Sequence, residues 1–255
     1  MSDVTFTLPA SEEVVELAKR KMTADLEKVQ AERDAQRALA SQWRSQALID
    51  KLKAEETTLS HRIEMTRDFH HHVYRFLGPV TEDSAEAAIV TLSSMDRLDS
   101  KASWEIVFNS PGGSVIDGMD LYDFIQEMKR KGHYIVTAAR GYAASMGGIL
   151  LQAGNKRVMG KEAYVLIHEI SLQARGKTSA IEDDVAFSKK MQERVLSIFE
   201  SRSAEAFRNG TSKVALTAEQ ISHGDPELGI PGWSRREWWC NSDEALDWGL
   251  VDEVR

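Results

Sequence analysis

From Ser11 to Leu77 the chain carries neither a glycine nor a proline. Those two residues punctuate regular backbone most strongly, so the stretch can hold only a few long elements. Its charged residues alternate with Ala, Leu, Gln and Glu, a composition that forms helix. Ser11 followed by Glu12 and Glu13 suits a helix N-terminus, where acidic side chains meet the partial positive charge of the free N–H groups. Val15, Met22, Leu26, Val29, Leu39, Trp43, Leu48, Leu52, Leu59 and Ile63 keep helical spacing, with a charged gap from Glu32 to Arg37. The stripe is sparse. One long helix, a helical hairpin packed on a partner, a coiled coil and a charged helix exposed to solvent all satisfy it. Residues 1–10 read as a loose arm ending at Pro9.

Beyond Leu77 the periodicity changes. Val73–Leu77 reads as a first strand closed by Gly78-Pro79, and Asp83 with Glu86 as the start of a helix. Trp104–Phe108 is a strand that runs into Asn109-Ser110-Pro111-Gly112-Gly113-Ser114, and a helix follows at about 116–131. Strand, glycine-rich turn, helix and strand make a crossover unit, so the sheet should be largely parallel with helices packed outside it. The Pro-Gly-Gly-Ser turn lacks the glycine or lysine spacing of a phosphate-binding loop.

The next apolar run, Tyr134–Ala138, leads to Gly141-Tyr142-Ala143-Ala144-Ser145-Met146-Gly147-Gly148, and a short buried helix is expected at Ile149–Ala153. Ser145 thus sits on a strand-to-helix turn, among small residues that admit a substrate and beside N–H groups that favour a developing negative charge. A serine in that place is either a nucleophile or an ordinary N-cap. Ala163–Ile167 forms another buried strand that delivers His168 at its end, where it can serve as a general base. Ser179 with Glu182 reads as the capping box of a long helix to about Ser203, and Thr217 with Gln220 caps a shorter one. Residues 223–236 form a loop, and a capped helix at 243–248 precedes Gly249-Leu250-Val251-Asp252.

Composition limits the remaining classes. A 255-residue chain with 42% apolar content suits one main domain and an appendage. The formal charge of −8 argues against nucleic acid as principal partner. Cys240 is the only cysteine, so no disulfide framework is available and a reducing, cytoplasmic setting is expected. No apolar run approaches a membrane span, and the N-terminus lacks a signal-peptide pattern. His70-His71-His72 has no surrounding ligand set, and consecutive residues of an extended segment face alternate sides, so neither a metal nor a cofactor is expected.

Asn109-Ser110-Pro111-Gly112-Gly113-Ser114-Val115, Ala143-Ala144-Ser145-Met146-Gly147, Ile167-His168 and the closing Glu244-Ala245 and Gly249-Leu250-Val251-Asp252, in this order, resemble the ClpP family, the proteolytic subunit of the Clp protease. The match covers about 74–254. It implies an α/β ClpP/crotonase-like fold of repeated strand-helix-strand units at 69–255, preceded by a long helical extension at 1–68. It implies a serine endopeptidase with Ser145 as nucleophile, His168 as base, and the Gly113 and Met146 N–H groups as oxyanion hole. The family's third member is an aspartate, and alignment on the closing segments puts Glu237 in its place, with Asp225 as the alternative. Further departures are His168-Glu169-Ile170, where the family has His-Gln-Pro, and the helical extension, where the family has its ATPase-facing axial loops. Such an extension is similar to that of ClpP-like proteases of tailed phages, which process capsid or scaffold protein. The implied partners are protein or peptide substrates, further copies of the chain in a heptameric or tetradecameric ring interlocked by the helix near 180–203, and a Clp ATPase or phage capsid and scaffold proteins. Neither nucleic acid nor membrane is among them. Rival readings are a catalytically silent ClpP-like assembly module and a crotonase-like acyl-thioester enzyme without the serine.

Overall fold

The computed structural model describes residues 12–65, 68–171, 175–234 and 237–255. The arm ending at Pro9, the Ser11 cap, the side chains of Leu59 and Ile63, and residues 235–236 of the loop lie outside the described residues. The chain divides into two units, Met1–Thr66 and Arg67–Arg255.

In the first unit, α1 (Glu12–Met65) is one unbroken helix of 54 residues, not a hairpin. At 1.5 Å per residue it is about 80 Å long. Pairs such as Glu16 with Arg20 and Lys51 with Glu55 lie one turn apart on its surface. Val15, Met22, Leu26, Val29, Leu39, Trp43, Leu48 and Leu52 are all exposed in the isolated chain.

The second unit is built on a seven-stranded sheet in the order β1-β2-β3-β4-β7, with β5 paired to β3 and β6 paired to β5. The strands are β1 (Val73–Leu77), β2 (Trp104–Ser110), β3 (Ile135–Ala144), β4 (Lys156–Met159), β5 (Tyr164–Ile167), β6 (Trp238–Cys240) and β7 (Glu253–Val254). Every pairing is parallel except β5 with β6. Alternation along β2 sends Trp104, Ile106 and Phe108 into the main core with Leu92, Leu121 and Ile125. Val107 points the other way, into a small cluster with Ala138 and Val158. Each large apolar side chain buried this way contributes about 1.5–3 kcal/mol.

The helices depart from expectation mostly at their ends. Thr81, not Asp83, caps α2 (Glu82–Leu98), and Ser84 supplies the reciprocal bond of the capping box. Ser114 caps α3 (Val115–Lys131), which closes at Gly132 in the left-handed region. The helix after Ser145, α4 (Met146–Leu151), begins three residues earlier than its apolar run, because Gly147 and Gly148 are helical. Helix α5 (Thr178–Arg208) follows Lys177 without a side-chain cap and runs five residues past Ser203. Ser203 is fully buried and donates to the carbonyl of Trp248 at 2.6 Å, so it ties the helix down where its polarity suggested an end. Thr217 and Gln220 form the expected capping box of α6 (Ala218–His223), and Asn241 with Glu244 that of α7 (Ser242–Asp247).

Strand β4 was hidden in the sequence by Lys156 and Arg157. His70 and His71 lie in a short 3-10 helix, Asp68–His71, and His72 has φ 57°, so this segment is not extended. Among the described residues no three His, Cys, Asp or Glu side chains gather as a metal site requires, and no helix is long and apolar enough to cross a membrane.

One irregularity decides where the chemistry can sit. Phe108 of β2 pairs with Ala139 of β3, but Ser110 pairs with Ala143, so β3 carries two extra residues. Gly141, at φ +78°, absorbs the bend. Before it β3 pairs with β4; after it β3 pairs with β5, Tyr142 opposite Tyr164 and Ala144 opposite Leu166.

Candidate active site

Ser145 is the hinge between β3 and α4, and its backbone lies at φ 53°, ψ −123°. A non-glycine residue in that region costs about 1–3 kcal/mol and persists only where its neighbours hold it. Here its N–H donates to the Leu166 carbonyl at 3.0 Å, and its own carbonyl accepts from Gly148 at 2.9 Å. The residue stands at the N-cap position, yet its side chain makes no capping hydrogen bond. The hydroxyl is therefore left for other work.

The Pro-Gly-Gly turn presses against this hinge. A Cβ on Gly112, whose φ is +86°, would come within 2.6 Å of the Ala144 carbonyl and of the Ser145 Cβ, so only glycine fits. A Cβ on Gly118 would meet the Met146 side chain at 2.3 Å, which is how α3 seats the first residue of α4. Val80 pins the turn: its N–H donates to Gly112 at 2.8 Å and its carbonyl accepts from Ser114 at 2.9 Å. In a parallel bridge of that kind the residue between, Gly113, turns its own N–H to the opposite side. Met146 is the first residue of α4, where an N–H has no acceptor within the helix. Neither the Gly113 nor the Met146 N–H donates to a protein acceptor among the described residues.

His168 follows directly on β5, and its Nδ1 lies 2.6 Å from the carbonyl oxygen of Glu169. A carbonyl only accepts, so Nδ1 carries the proton and Nε2 is the basic nitrogen. The Glu169 carboxylate is directed elsewhere and accepts from Gln192 of α5 at 3.3 Å. Ser145, His168, Gly113 and Met146 line one cavity of about 210 Å³, together with Ser171 and the apolar Val115, Ile149, Ile167, Ile170, Val195 and Phe199. Among the described residues no hydrogen bond joins Ser145 to His168.

Glu237 does not line that cavity and is exposed. It does precede β6 directly, and the last pair of the antiparallel ladder is Ile167 with Trp238, so His168 and Glu237 are the residues next beyond that pair. Asp225 is engaged in its own turn. It accepts from Gln220 Nε2 at 2.9 Å, from Glu227 N at 3.0 Å and from Leu228 N at 3.3 Å. The Gln220 bond, and after it those from the backbone, hold its carboxyl below the ordinary range.

Sequence reasoning did not single out Val80, Leu166 or Phe199. Val80 and Leu166 act through backbone carbonyls, which leave no side-chain signature. Phe199, like Val195, reads as one more apolar residue on the core face of α5.

Comparison with known proteins bears on the family. The family model described as Clp protease matches residues 65–255. The chain is similar to the ATP-dependent Clp protease proteolytic subunit 3 of Rhodococcus jostii (strain RHA1), with 33% identity over 190 residues, 74% of this chain and 83% of that protein. It is also similar to the ATP-dependent Clp protease proteolytic subunit 1 of Prochlorococcus marinus (strain NATL2A), with 31% identity over 185 residues, 70% and 81% of the two chains. The ATP-dependent Clp protease proteolytic subunit 2 of Tropheryma whipplei (strain Twist) is 32% identical over 184 residues, 71% and 89% of the two chains.

Proposed function

The chain belongs to the Clp protease family, and from that premise we propose that it is a serine endopeptidase acting through Ser145, His168 and Glu237 in a homo-oligomeric chamber. As a family member it is a peptidase and a proteolytic subunit. The observation that carries the assignment is the Ser145 hydroxyl, free of any capping role on a strained hinge, in one cavity with His168.

In this mechanism His168 Nε2 takes the hydroxyl proton as Ser145 Oγ attacks the scissile carbonyl. The Gly113 and Met146 N–H groups receive the oxyanion, each donor lowering the barrier by about 3 kcal/mol. The imidazolium then protonates the leaving amine, and a water molecule, deprotonated by the same nitrogen, releases the acyl group. Glu237 orients the imidazole once the ring exchanges the Glu169 carbonyl for the carboxylate across the ladder. Apart from His168 and two serines the cavity is lined by glycine and apolar residues, so an apolar side chain next to the cleaved bond suits it. The substrates are proteins or peptides. Processing of phage capsid or scaffold protein is the reading that α1 favours, with a Clp ATPase as the alternative partner.

A second reading, a silent assembly module, draws on the Nδ1 contact to Glu169 and the exposed Glu237, which leave the three groups unconnected in a single chain. Fluorophosphonate labelling separates the two. Labelling at Ser145, and loss of both labelling and peptide hydrolysis in Ser145→Ala with the thermal midpoint unchanged, are expected. A chain that is never labelled, or a Ser145→Ala variant that still cleaves, overturns the serine mechanism.

A further inference from the structure

The turn that follows the Ser145 helix, at Ala153 and Gly154, is held by three side chains from two other helices. Gln126 of α3 donates to the Ala153 carbonyl at 2.9 Å. Lys129 of α3 donates to the same carbonyl at 2.9 Å and to that of Gly154 at 3.3 Å. Arg202 of α5 donates to the Gly154 carbonyl at 2.9 Å. Helix α4 has only six residues, so its two ends are about 9 Å apart and it moves as a rigid body. A displacement of the turn that directly follows it is therefore carried through the helix to Ser145.

Lys129 is the puzzling member of this group. Both carbonyls it contacts already have another donor, Gln126 for one and Arg202 for the other, so its ammonium is not required to satisfy them. Its setting is also unfavourable for a cation. Burial comes first, the guanidinium of Arg202 adds to it, Glu205 of α5 partly offsets both, and Arg157 of β4 adds a little more; together they lower its pKa to about 8. Arg202 itself is crowded: it pairs with Glu205, yet its buried Nε has no hydrogen-bond partner. A costly charge with redundant hydrogen bonds makes sense where it sets position and not stability.

Building on the Ser145 mechanism, we infer that Lys129 is a positioning residue: with Gln126 and Arg202 it clamps the turn that follows α4 between α3 and α5, and so fixes where the Ser145 hydroxyl points. Lys129 touches neither substrate nor reacting atoms. Its effect falls on kcat, because a misdirected nucleophile slows the chemistry without changing how the peptide is held.

The sign of the pH dependence separates this role from a structural one. The folded state binds fewer protons than the unfolded chain between about 8 and the ordinary lysine value, so stability attributable to Lys129 rises across that window. The clamp weakens over the same window as the charge is lost. Activity falls there while stability does not.

The test uses the full-length chain, a fluorogenic peptide with an apolar residue before the cleaved bond, and thermal denaturation of each variant at neutral and alkaline pH. Lys129→Met is expected to lower kcat about tenfold with KM within about twofold and the thermal midpoint unchanged or higher. Lys129→Arg is expected to restore kcat and to remove the decline of kcat above pH 8. An unchanged kcat in Lys129→Met, a loss of kcat that only follows a loss of thermal stability, or an alkaline decline that persists in Lys129→Arg overturns the clamp. Those results, obtained with normal labelling of Ser145 in the parent, leave the nucleophile assignment standing. A parent that is not labelled at Ser145 sinks both.

Discussion

At the scale of residues, the open question is which carboxylate serves His168. Two carboxylates were candidates from the sequence, and their surroundings differ in kind. Asp225 already accepts three hydrogen bonds within its own turn, and moving it to the imidazole would break all of them. Glu237 has no such engagement among the described residues, and it lies directly beyond the ladder's last pair, as His168 does. Glu237→Gln is therefore expected to reduce turnover steeply, by up to ~10⁴, with labelling site and fold intact, whereas Asp225→Asn keeps turnover near the parent value. Steady-state kinetics of the two variants side by side decide this, and loss confined to Asp225→Asn removes Glu237 from the mechanism. Ser145 was legible because its neighbours are small and its strand and helix are apolar. The missing cap bond was not, since it depends on a backbone angle that no local pattern encodes.

At the scale of elements, the segment around β4, β7 and α4 is joined by a buried ion pair. Arg157 is fully buried and donates to Asp252 through its backbone N at 2.8 Å and its Nε at 3.0 Å, to Gln152 at 2.8 Å and to the Gly249 carbonyl at 2.7 Å. Burial pushes the Asp252 carboxyl up, but the Arg157 hydrogen bonds and charge outweigh it and hold the group below the ordinary range. A depressed carboxylate contributes stability that is present above its unfolded pKa and is lost as pH falls through the folded one. Acid unfolding of the parent should accordingly show a component that Asp252→Asn lacks. At neutral pH, Asp252→Ala is expected to cost about 3–5 kcal/mol, because it strands a buried guanidinium. Denaturant titration of the two variants measures both effects, and a cost near zero would mean that the cation finds water. From sequence Asp252 was only part of a closing motif, and Arg157 masked a strand. Their partnership spans 95 residues, a separation at which local periodicity says nothing.

At the scale of the whole molecule, α1 and the Clp-type unit use the chain in different ways. Helix α1 leaves its apolar positions exposed in the isolated chain among the described residues. We expect a chain beginning near Asp68 to fold, to label at Ser145 and to cleave small peptides at rates within a few-fold of the parent, while its oligomeric mass or its choice of protein substrate changes. Light scattering and digestion of a protein substrate check this. Unchanged mass together with an unchanged substrate range would remove the assembly role from α1.

Some of this protein was determined by the sequence alone. Over 12–65 the absence of glycine and proline together with a helix-forming composition dictated helix, because nothing there interrupts hydrogen bonding between turns. Apolar runs ending in glycine-rich turns dictated parallel strands, and the order of Pro-Gly-Gly, Ala-Ala-Ser and Ile-His carried the family and the nucleophile proposed for it. Tertiary structure decided the remainder. The two extra residues in β3 that swing Ser145 from β4 to β5, the Val80 bridge that turns the Gly113 N–H, and the cations that hold the turn after α4 all join residues distant in the chain. Such contacts form only once the sheet has closed, which is why the chain can announce a nucleophile in one short motif and leave its alignment to the packed core.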